Sequence, residues 1–413
     1  MPLFGSSKST TSDTASDHHE QPQNDPVASA SAAAGTEWLA GHLHHLTDEQ
    51  QGKLEEFKKL CGEKGYYKAA SEENGGKASH DDATMLRFLR ARKFDVNAAW
   101  DQFKDTEDWR RDNAIEKLYE NIDVDSYESA RRMYPQWTGR RDRRGIPVYV
   151  FEIKHLNSKN MAAYNETMST SNLPAEAQKS STVPERLLRL FALYENLLRF
   201  VMPVCSKLPR PNPETPIVTS TNIVDVSGVG LKQFWNLKGH MQDASVLATA
   251  HYPETLDRIF IIGAPSFFPT VWGWIKRWFD PGTTSKIFIL SASDVKPTLT
   301  SFMDPSSIPK QYGGDLDWTW GDMPNLDNDT KDIIGGVESG EGEKKEFLKG
   351  PMLFDGDKIQ VLGREKKGEE KDGIERRWDI PVTANGASAP AGDSEKPSET
   401  ATAAAPAPVQ EAS

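Results

Sequence analysis

The segment Ile217-Val-Thr-Ser-Thr-Asn-Ile-Val-Asp-Val226 decides the fold, because it predicts a strand that opens a strand–helix–strand unit. A helical pattern follows over residues 231–252, and a second apolar run predicts the next strand at 258–263. A helix of this length between two strands is typical of a crossover connection, which makes the strands parallel. The unit therefore predicts an α/β fold with a mainly parallel sheet.

The same alternation continues on both sides of this unit. Further strands are predicted at 146–153 and 286–290, and a helix at 184–202 begins with Pro184 in its first turn. Upstream, a small helical unit is predicted from three helices, at 47–64, 79–94 and 98–113. Thr47 is the predicted cap of the first helix, and Ser79, with Asp82 three residues later, that of the second.

A hairpin is predicted near the far end of the chain. Two short apolar runs between Leu353 and Leu362 are separated by Asp355-Gly356-Asp357, a sequence that favours a tight turn. Charged and Gly-rich runs surround these residues. They argue against a place for the hairpin in the main core.

Both ends of the chain are poor in large apolar side chains. They cannot bury enough apolar surface to offset the entropy lost on ordering, so both are predicted to be disordered. The expected organisation is a disordered tail at 1–36, a helical domain at 37–125, a sheet domain at 126–316, a C-terminal extension with the hairpin at 317–382 and a second disordered tail at 383–413.

Charge and cysteine content limit the compartment and the partners. The formal net charge of −12 disfavours nucleic acid and uniform binding to anionic membranes, so membrane contact needs a local basic or apolar feature. Cys61 and Cys205 form no CxxC pair, which fits a reducing compartment. No signal-peptide core, myristoylation pattern or run of about 18 apolar residues is present, so a cytoplasmic protein is expected.

The catalytic motifs that we searched for are incomplete. Gly228-Val-Gly230 resembles the start of a dinucleotide-binding loop, but Gln233 stands where the third glycine is needed, which favours a plain tight turn. His42, His44 and His45 lack cysteine or acidic partners at metal spacing, so a solvated polar stretch is favoured over a zinc site. We therefore expect no catalysis, no metal and no cofactor.

The aromatic segment Phe267-Phe-Pro-Thr-Val-Trp-Gly-Trp-Ile-Lys-Arg-Trp-Phe279 is unusual because it carries nearly two apolar stripes at helical spacing. One interpretation is a fully buried core helix. The other is a gate that faces an apolar cavity on one side and a membrane on the other, with tryptophans at the interface and Lys276 and Arg277 beside them. The predicted gate residues are Phe267, Phe268, Val271, Trp272, Trp274, Ile275, Trp278 and Phe279.

Two basic places could hold a phosphate at the polar end of such a cavity. On the second helix, Arg87, Arg90 and Lys93 share a face that resembles an ordinary solvated surface, whereas Arg92 follows Phe88 and Leu89 at helical spacing and is expected to lean inward. The second place is the turn at 280–286, whose hydroxyls and terminal lysine suit a phosphate.

Seven short motifs occur in a fixed order: Phe88-Leu-Arg-Ala-Arg-Lys-Phe-Asp95, Tyr134-Pro-Gln136, Tyr252-Pro-Glu254, Ile261-Ile-Gly-Ala-Pro265, Asp280-Pro281, Ser285-Lys-Ile-Phe288 and Ile308-Pro-Lys-Gln-Tyr-Gly-Gly314. Together they resemble the CRAL-TRIO family over about Thr47 to Leu316, in particular its yeast-type phosphatidylinositol/phosphatidylcholine transfer branch. The resemblance implies a helical N-terminal tripod on an α/β domain, whose sheet floors a lipid pocket closed by a gating helix.

The resemblance also implies two sets of head-group residues. The positions that match the phosphatidylinositol site are Arg92, Lys93, Glu254, Thr283 and Lys286. Those that match a second, phosphatidylcholine site are Gln136, Thr138, Tyr149, Ser220 and Asn222. This second match is weaker, because Thr138 stands where a tyrosine is expected and Asn222 where a threonine is expected. An aromatic face attracts a quaternary ammonium, so the change at Thr138 counts against choline.

Three functions are consistent with these patterns. The first is a monomeric phosphatidylinositol transfer protein that exchanges single phospholipids between membranes and supports phosphoinositide signalling and vesicle trafficking. The second is a lipid sensor that presents its ligand to a lipid kinase or a trafficking partner. The third is a carrier of a sterol, haem or other hydrophobe. Transient contact with Golgi, endosomal or other internal membranes is expected for the first two.

Overall fold

The computed structural model describes residues 37–168, 183–278, 281–339, 346–365 and 373–383. The predicted disordered tails lie outside these residues, apart from Thr383. The helices of the N-terminal unit are α1 (Asp48–Glu63), α2 (Asp82–Ala91), α3 (Val96–Asp112), α4 (Ile115–Asn121) and α5 (Val124–Arg131). Helix α5 spans the predicted domain boundary at 125/126, so that division does not coincide with the end of an element.

The caps of the first two helices were predicted with mixed success. Thr47 caps α1 as predicted, accepting from Gln50 N while the Gln50 side chain accepts from Thr47 N. The prediction of Ser79 as the cap of α2 was wrong, because Asp81 accepts from Thr84 N at 2.8 Å and the helix starts at Asp82. A carboxylate nearer the apolar run satisfied the free amides instead.

A five-stranded sheet forms the centre of the molecule, with the strand order β1-β2-β3-β4-β5. The strands are β1 (Gln136–Arg141), β2 (Pro147–Glu152), β3 (Ser220–Asp225), β4 (Leu256–Ile262) and β5 (Ile287–Ile289). β2 to β5 run parallel, with Val150 opposite Ile223 and Phe260 opposite Phe288, which confirms the predicted fold class. The edge strand β1 runs antiparallel to β2 and was missed by the sequence analysis.

The strand β1 is buried for a reason that lies elsewhere in the chain. Its sequence contains Gly139 and charged residues rather than an alternating apolar pattern. Gly139 has φ +86°, and an added Cβ would lie 2.6 Å from the backbone of Asn325. A segment far along the chain therefore covers this edge, and a local pattern could not reveal it.

The two faces of the sheet have different neighbours, because successive side chains of a strand point to opposite sides. Val148, Val150, Ile223 and Phe260 pack with Phe302 and neighbouring residues on one face. The helices that surround the sheet are α6 (Ser158–Met168), α7 (Glu185–Asn196), α8 (Met202–Lys207), α9 (Leu231–His251), α10 (Phe268–Ile275), α11 (Pro281–Ser285) and α12 (Val295–Phe302). A π-helical turn at Leu197–Val201 joins α7 to α8.

Hydrogen bonds from buried side chains dock the N-terminal helices on this domain. Arg87 Nε donates to the carbonyl of Pro253 at 3.0 Å, just before β4. Gln102 Nε2 of α3 donates to the carbonyl of Ala250 at 2.9 Å, near the end of α9. The helical unit is thus fixed beside the start of β4.

The C-terminal extension packs into the core. It contains α13 (Asn328–Ile334), β6 (Glu338–Ser339), β7 (Glu346–Phe347), β8 (Met352–Phe354), β9 (Lys358–Val361), β10 (Arg364–Glu365), β11 (Ile374–Glu375) and β12 (Trp378–Pro381). The predicted hairpin is β8 paired with β9. The expectation that it lies away from the core was wrong, because Met352, Ile359 and Val361 are fully buried in one cluster with Trp137 and Tyr149. The charged and glycine residues that flank the hairpin suggested exposure, but Met352, Ile359 and Val361 face inward.

Candidate functional site

A cavity of about 350 Å³, here called the polar cavity, opens at the amino ends of β4 and β5. Trp38 and Ala40 form part of its wall, with Arg90 of α2 beside them. Its ionisable lining residues are His42, Arg90, Glu254, Asp257, Arg258 and Lys286. The helical N-terminal unit and the sheet therefore both contribute charges to one cavity.

Glu254 holds two cations at this cavity. Lys286 Nζ donates to Glu254 Oε2 at 3.2 Å and to the carbonyl of Leu256 at 3.0 Å, and Arg90 Nε lies 4.0 Å from the same carboxylate oxygen. Glu254 has φ +56°, a left-handed conformation that is uncommon for a residue with a Cβ. The structure thus brings together two predicted head-group residues, Glu254 and Lys286, and a third residue that was not predicted.

That third residue is Arg90, which sequence reasoning placed on a solvated face. The expectation of a solvated face was wrong for Arg87 and Arg90, which are largely buried. The expectation that Arg92 leans inward was also wrong, because Arg92 is exposed just past the end of α2. The buried side of α2 is wider than its apolar stripe, because Arg87 donates to the Pro253 carbonyl and Arg90 faces the Glu254 carboxylate. The i, i+3 spacing places these two arginines on one face of the helix. The sequence pattern could not show that the loop at Pro253 and Glu254 covers that face.

Arg90 is also incompletely bonded. Its Nη2 atom is buried and has no hydrogen-bond partner among the described residues. Burial lowers the pKa of Arg90 to about 10, although Glu254 opposes the shift, so the guanidinium remains charged at neutral pH. A buried donor without an acceptor is costly, and an anionic oxygen in the cavity would satisfy it.

The other charges of the polar cavity are already balanced. Burial would raise the pKa of Asp257, but the guanidinium groups of Arg144 and then Arg258 hold it below its ordinary value. Arg258 Nη1 lies 2.7 Å from Asp257, and Arg144 also contacts Asp142 at 2.7 Å. The charges of these two arginines and two aspartates cancel. Arg90 and Lys286 instead share the single carboxylate of Glu254, which leaves one excess positive charge.

The remaining predicted phosphatidylinositol residues do not line this cavity. Arg92 and Lys93 are exposed, and Lys93 has φ +52° in the turn after α2. Thr283 lies half-buried in α11, and its carbonyl accepts from Lys286 N at 3.1 Å. Their role in head-group binding stays a prediction.

A second cavity of about 130 Å³, here called the apolar pocket, is lined by residues of β2, β3 and α7. Three of the predicted second-lipid residues, Tyr149, Ser220 and Asn222, form part of its lining, and their contact with a lipid stays a prediction. Leu256 lines both this pocket and the polar cavity. The apolar pocket and the polar cavity therefore share one lining residue at the start of β4.

Two predicted second-lipid residues are engaged elsewhere. Gln136 is buried, and its Oε1 accepts from Gly321 N at 3.1 Å. Thr138 is fully buried, and its hydroxyl donates to the carbonyl of Val148 at 3.1 Å. Neither side chain lines the apolar pocket, so their predicted contact with a ligand has no support in this arrangement.

The aromatic segment forms α10 and a following 3₁₀ turn at Lys276–Trp278. Phe268 and Val271 are buried, but Trp272, Trp274 and Ile275 are only half-buried, so the fully buried core helix was the wrong interpretation for this part. Trp274 packs edge to face on Trp235 of α9 at 5.9 Å, and Trp235 is 61% exposed. Phe279 and the side chain of Trp278 lie outside the described residues.

The segment adjoins the apolar pocket without lining it. Phe268 and Val271 belong to the same buried cluster as Tyr134 and Leu190, and the latter two line the pocket. The segment and the pocket wall therefore belong to one continuous apolar core. Gating itself remains a prediction.

Two further structural features bear on function. No described helix combines the length and the apolar character that a bilayer span requires. Within the described ranges, no three His, Cys, Asp or Glu side chains are grouped as a metal site would need.

Comparison with known proteins gives matches over most of the chain. The CRAL/TRIO domain matches residues 131–314, and the CRAL/TRIO N-terminal domain matches residues 53–105. The SEC14 cytosolic factor of Eremothecium gossypii is 31% identical over 285 residues, which cover 69% of this chain and 82% of that protein.

A plant protein and a solved structure also match. The phosphatidylinositol/phosphatidylcholine transfer protein SFH7 of Arabidopsis thaliana is 32% identical over 57% of this chain and 40% of its own length. The crystal structure of Sfh5 aligns with a TM-score of 0.48 at 17% identity, covering 68% of this chain and 93% of that chain. On the evidence of the two matched domains and of the fungal relative, this chain belongs to the CRAL/TRIO family.

Proposed function

We propose that this protein binds one phospholipid molecule at a time, with phosphatidylinositol preferred, and exchanges it between membranes. The observation that carries the proposal is Leu256, which lines both the apolar pocket and the polar cavity. A ligand with apolar chains and an anionic head group can occupy both spaces at once. The name of the plant relative, a phosphatidylinositol/phosphatidylcholine transfer protein, supports a lipid-transfer role.

The excess positive charge at the polar cavity suits an inositol phosphate. Arg90 and Lys286 offset the charge of the phosphate, and Glu254 orients both cations. The buried Nη2 of Arg90 gains its missing acceptor. Arg92, Lys93 and Thr283 remain in the proposed set, since the exposed side chains of Arg92 and Lys93 are able to turn toward a bound head group.

Exchange requires the pocket to open. A volume of about 130 Å³ is below the roughly 300–1,000 Å³ of pockets that hold drug-sized ligands, so two acyl chains need more room than the closed form offers. We infer that α10 moves outward at a membrane, where its half-buried tryptophans meet the interface. Burial of two chains of about 16 CH₂ groups, at roughly 0.8 kcal/mol each, then retains the lipid in water.

We propose phosphatidylcholine as a weaker second ligand. Tyr149, Ser220 and Asn222 line the pocket floor, whereas Gln136 and Thr138 do not line the pocket. The expected setting is the cytosolic face of Golgi, endosomal or other internal membranes, with contact to lipid kinases or trafficking proteins. The protein performs no catalysis in this proposal and acts as a monomer.

A vesicle assay tests the head-group assignment. Labelled phosphatidylinositol or phosphatidylcholine is transferred from donor to acceptor vesicles by wild type, Arg90→Gln, Lys286→Ala and the control Lys59→Ala, an exposed lysine of α1. Phosphatidylinositol transfer should fall at least about tenfold in the first two variants, and phosphatidylcholine transfer should change little. Equal transfer of phosphatidylinositol by all four proteins would refute the assignment.

A further inference from the structure

The apolar pocket has a wall that does not come from the residues matched to the family. Phe347, Leu348, Gly350 and Met352 line it, and all four follow the matched range, which ends at residue 314. We call residues 346–352 the extension wall. The pocket of this protein is therefore incomplete without its C-terminal extension.

The backbone of the extension wall is fixed by buried polar groups. The Tyr119 hydroxyl hydrogen-bonds both the N–H and the carbonyl of Met352, the former at 3.2 Å. Gly350 N donates to Glu128 Oε1 at 3.0 Å, and Arg131 Nε donates to the other oxygen of that carboxylate at 2.7 Å. Tyr119 and Glu128 are both nearly inaccessible to solvent. These bonds fix the position of the backbone that lines this side of the pocket.

The side chains of the wall occupy space that a ligand would otherwise use. The Phe347 ring meets Trp137 and Phe200 edge to face, each at 6.2 Å, and both of these rings also line the pocket. Phe347 and Leu348 are only half-buried, whereas Met352 is fully buried. Phe347 and Leu348 are thus the parts of the wall that can be changed with least disturbance to the core.

We propose that Phe347 and Leu348 determine which acyl chains the pocket accepts, by limiting the length of chain that fits beside Trp137 and Phe200. The inference rests on the proposed function, because it assumes that the head group occupies the polar cavity and the chains extend past Leu256. A smaller side chain at Phe347 lengthens the space and favours longer chains. A larger one at Leu348 shortens it and favours shorter chains.

The test is a competition between chain lengths. Full-length protein is incubated with vesicles that contain equal amounts of phosphatidylinositol with C16 and with C20 chains, and the bound lipid is identified by mass spectrometry. Phe347→Ala should raise the bound C20:C16 ratio at least about fourfold, the factor that burial of one further CH₂ group supplies, and Leu348→Phe should lower it. Ile374→Ala, at an exposed residue of the same extension, should leave the ratio unchanged.

The outcomes separate this inference from the proposed function. Absence of bound phosphatidylinositol in wild type would refute the proposed function. If phosphatidylinositol is bound with the same C20:C16 ratio in wild type, Phe347→Ala and Leu348→Phe, chain-length selection by the extension wall is refuted and the proposed function is not. A shift of equal size in Ile374→Ala would also overturn it, because general loosening would then explain the change. If Phe347→Ala does not fold, the decrease expected for Leu348→Phe still decides the question.

Discussion

Arg110 binds the carboxylate of Glu195 with both terminal nitrogens, at 2.6 and 3.0 Å, and this pair joins α3 to α7. Glu195 is 1% exposed and also accepts from the Tyr252 hydroxyl at 2.8 Å. Burial would raise the pKa of Glu195, but the guanidinium of Arg110 reverses this and holds the pKa below its ordinary value. The helical unit is therefore locked to the lipid-binding domain by an ionised, nearly inaccessible carboxylate.

Glu195→Gln should lower the free energy of unfolding by about 3 kcal/mol at pH 7, because it leaves the Arg110 guanidinium without its counter-charge. A folded-state pKa below the unfolded value means that Glu195 stabilises the protein above about pH 4.3 and loses this effect as the pH falls through the folded-state pKa. The difference between the variant and wild type should therefore shrink in acid.

Urea unfolding at pH 7 and at about pH 3 measures both effects. The matched control is Glu63→Gln, since Glu63 is exposed and lies 4.0 Å from Lys59. That change should cost less than about 0.5 kcal/mol. Similar losses in the two variants would contradict the role given to the buried pair.

Gly139→Ala should destabilise the protein by about 2–4 kcal/mol. The new Cβ would lie 2.6 Å from the Asn325 backbone, and the residue would be held at φ +86°. Gly52→Ala in α1 is the control, because nothing lies within 4 Å of its added Cβ, and it should stabilise by up to about 1 kcal/mol. Thermal or urea unfolding measures the stability of both variants. A Gly139→Ala protein as stable as wild type would mean that the extension does not cover β1.

His42 should make stability depend on pH between about 3 and 6.5. Burial and then the charge of Arg90 lower its folded-state pKa to about 3, whereas the unfolded value is about 6.5. Below pH 6.5 the unfolded chain takes up a proton at His42 and the folded protein does not, so stability falls as the pH falls.

His42→Gln removes this contribution. Between pH 7 and pH 5, wild type should lose up to about 2 kcal/mol more of its unfolding free energy than the variant does, as measured by urea titrations at both values. His44→Gln, at an exposed position nearby, should retain the wild-type dependence. Identical curves for wild type and His42→Gln would show that His42 titrates normally.

Most of the central fold follows from periodicity, and most of the surprises come from contacts between distant segments. The alternation of apolar runs predicted β2 to β5 and the helices α7 and α9, because strands buried on both faces have strongly apolar sequences. It missed α6, and α11 was wrongly predicted as a turn. The strand β1 carries no such pattern, and its burial depends on Asn325. The extension likewise reaches the core through a few inward-facing residues such as Ile359.

The candidate site, like the fold, was predicted in part from the sequence. Glu254 and Lys286 were assigned through short motifs and do meet, at 3.2 Å. Arg90 was assigned to solvent, because a helical wheel shows neighbours on the helix and omits the loop at Pro253 and Glu254 that covers this face. Phe347 had no signal at all, since its partners Trp137 and Phe200 are far away in sequence.

Trp235 and Trp274 should anchor the gate at membranes, because they pack together at 5.9 Å beside the exposed Lys276 and Arg277. Replacing both tryptophans with serine should weaken vesicle binding and slow phosphatidylinositol transfer by about tenfold or more, since each large aromatic side chain contributes roughly 1.5–3 kcal/mol on burial. Vesicle co-sedimentation measures the first effect. Trp378→Ser, at a tryptophan 43% exposed on the extension, should bind as wild type does. Equal weakening by Trp378→Ser would place the contact elsewhere, and unchanged binding of the double variant would exclude α10 from it.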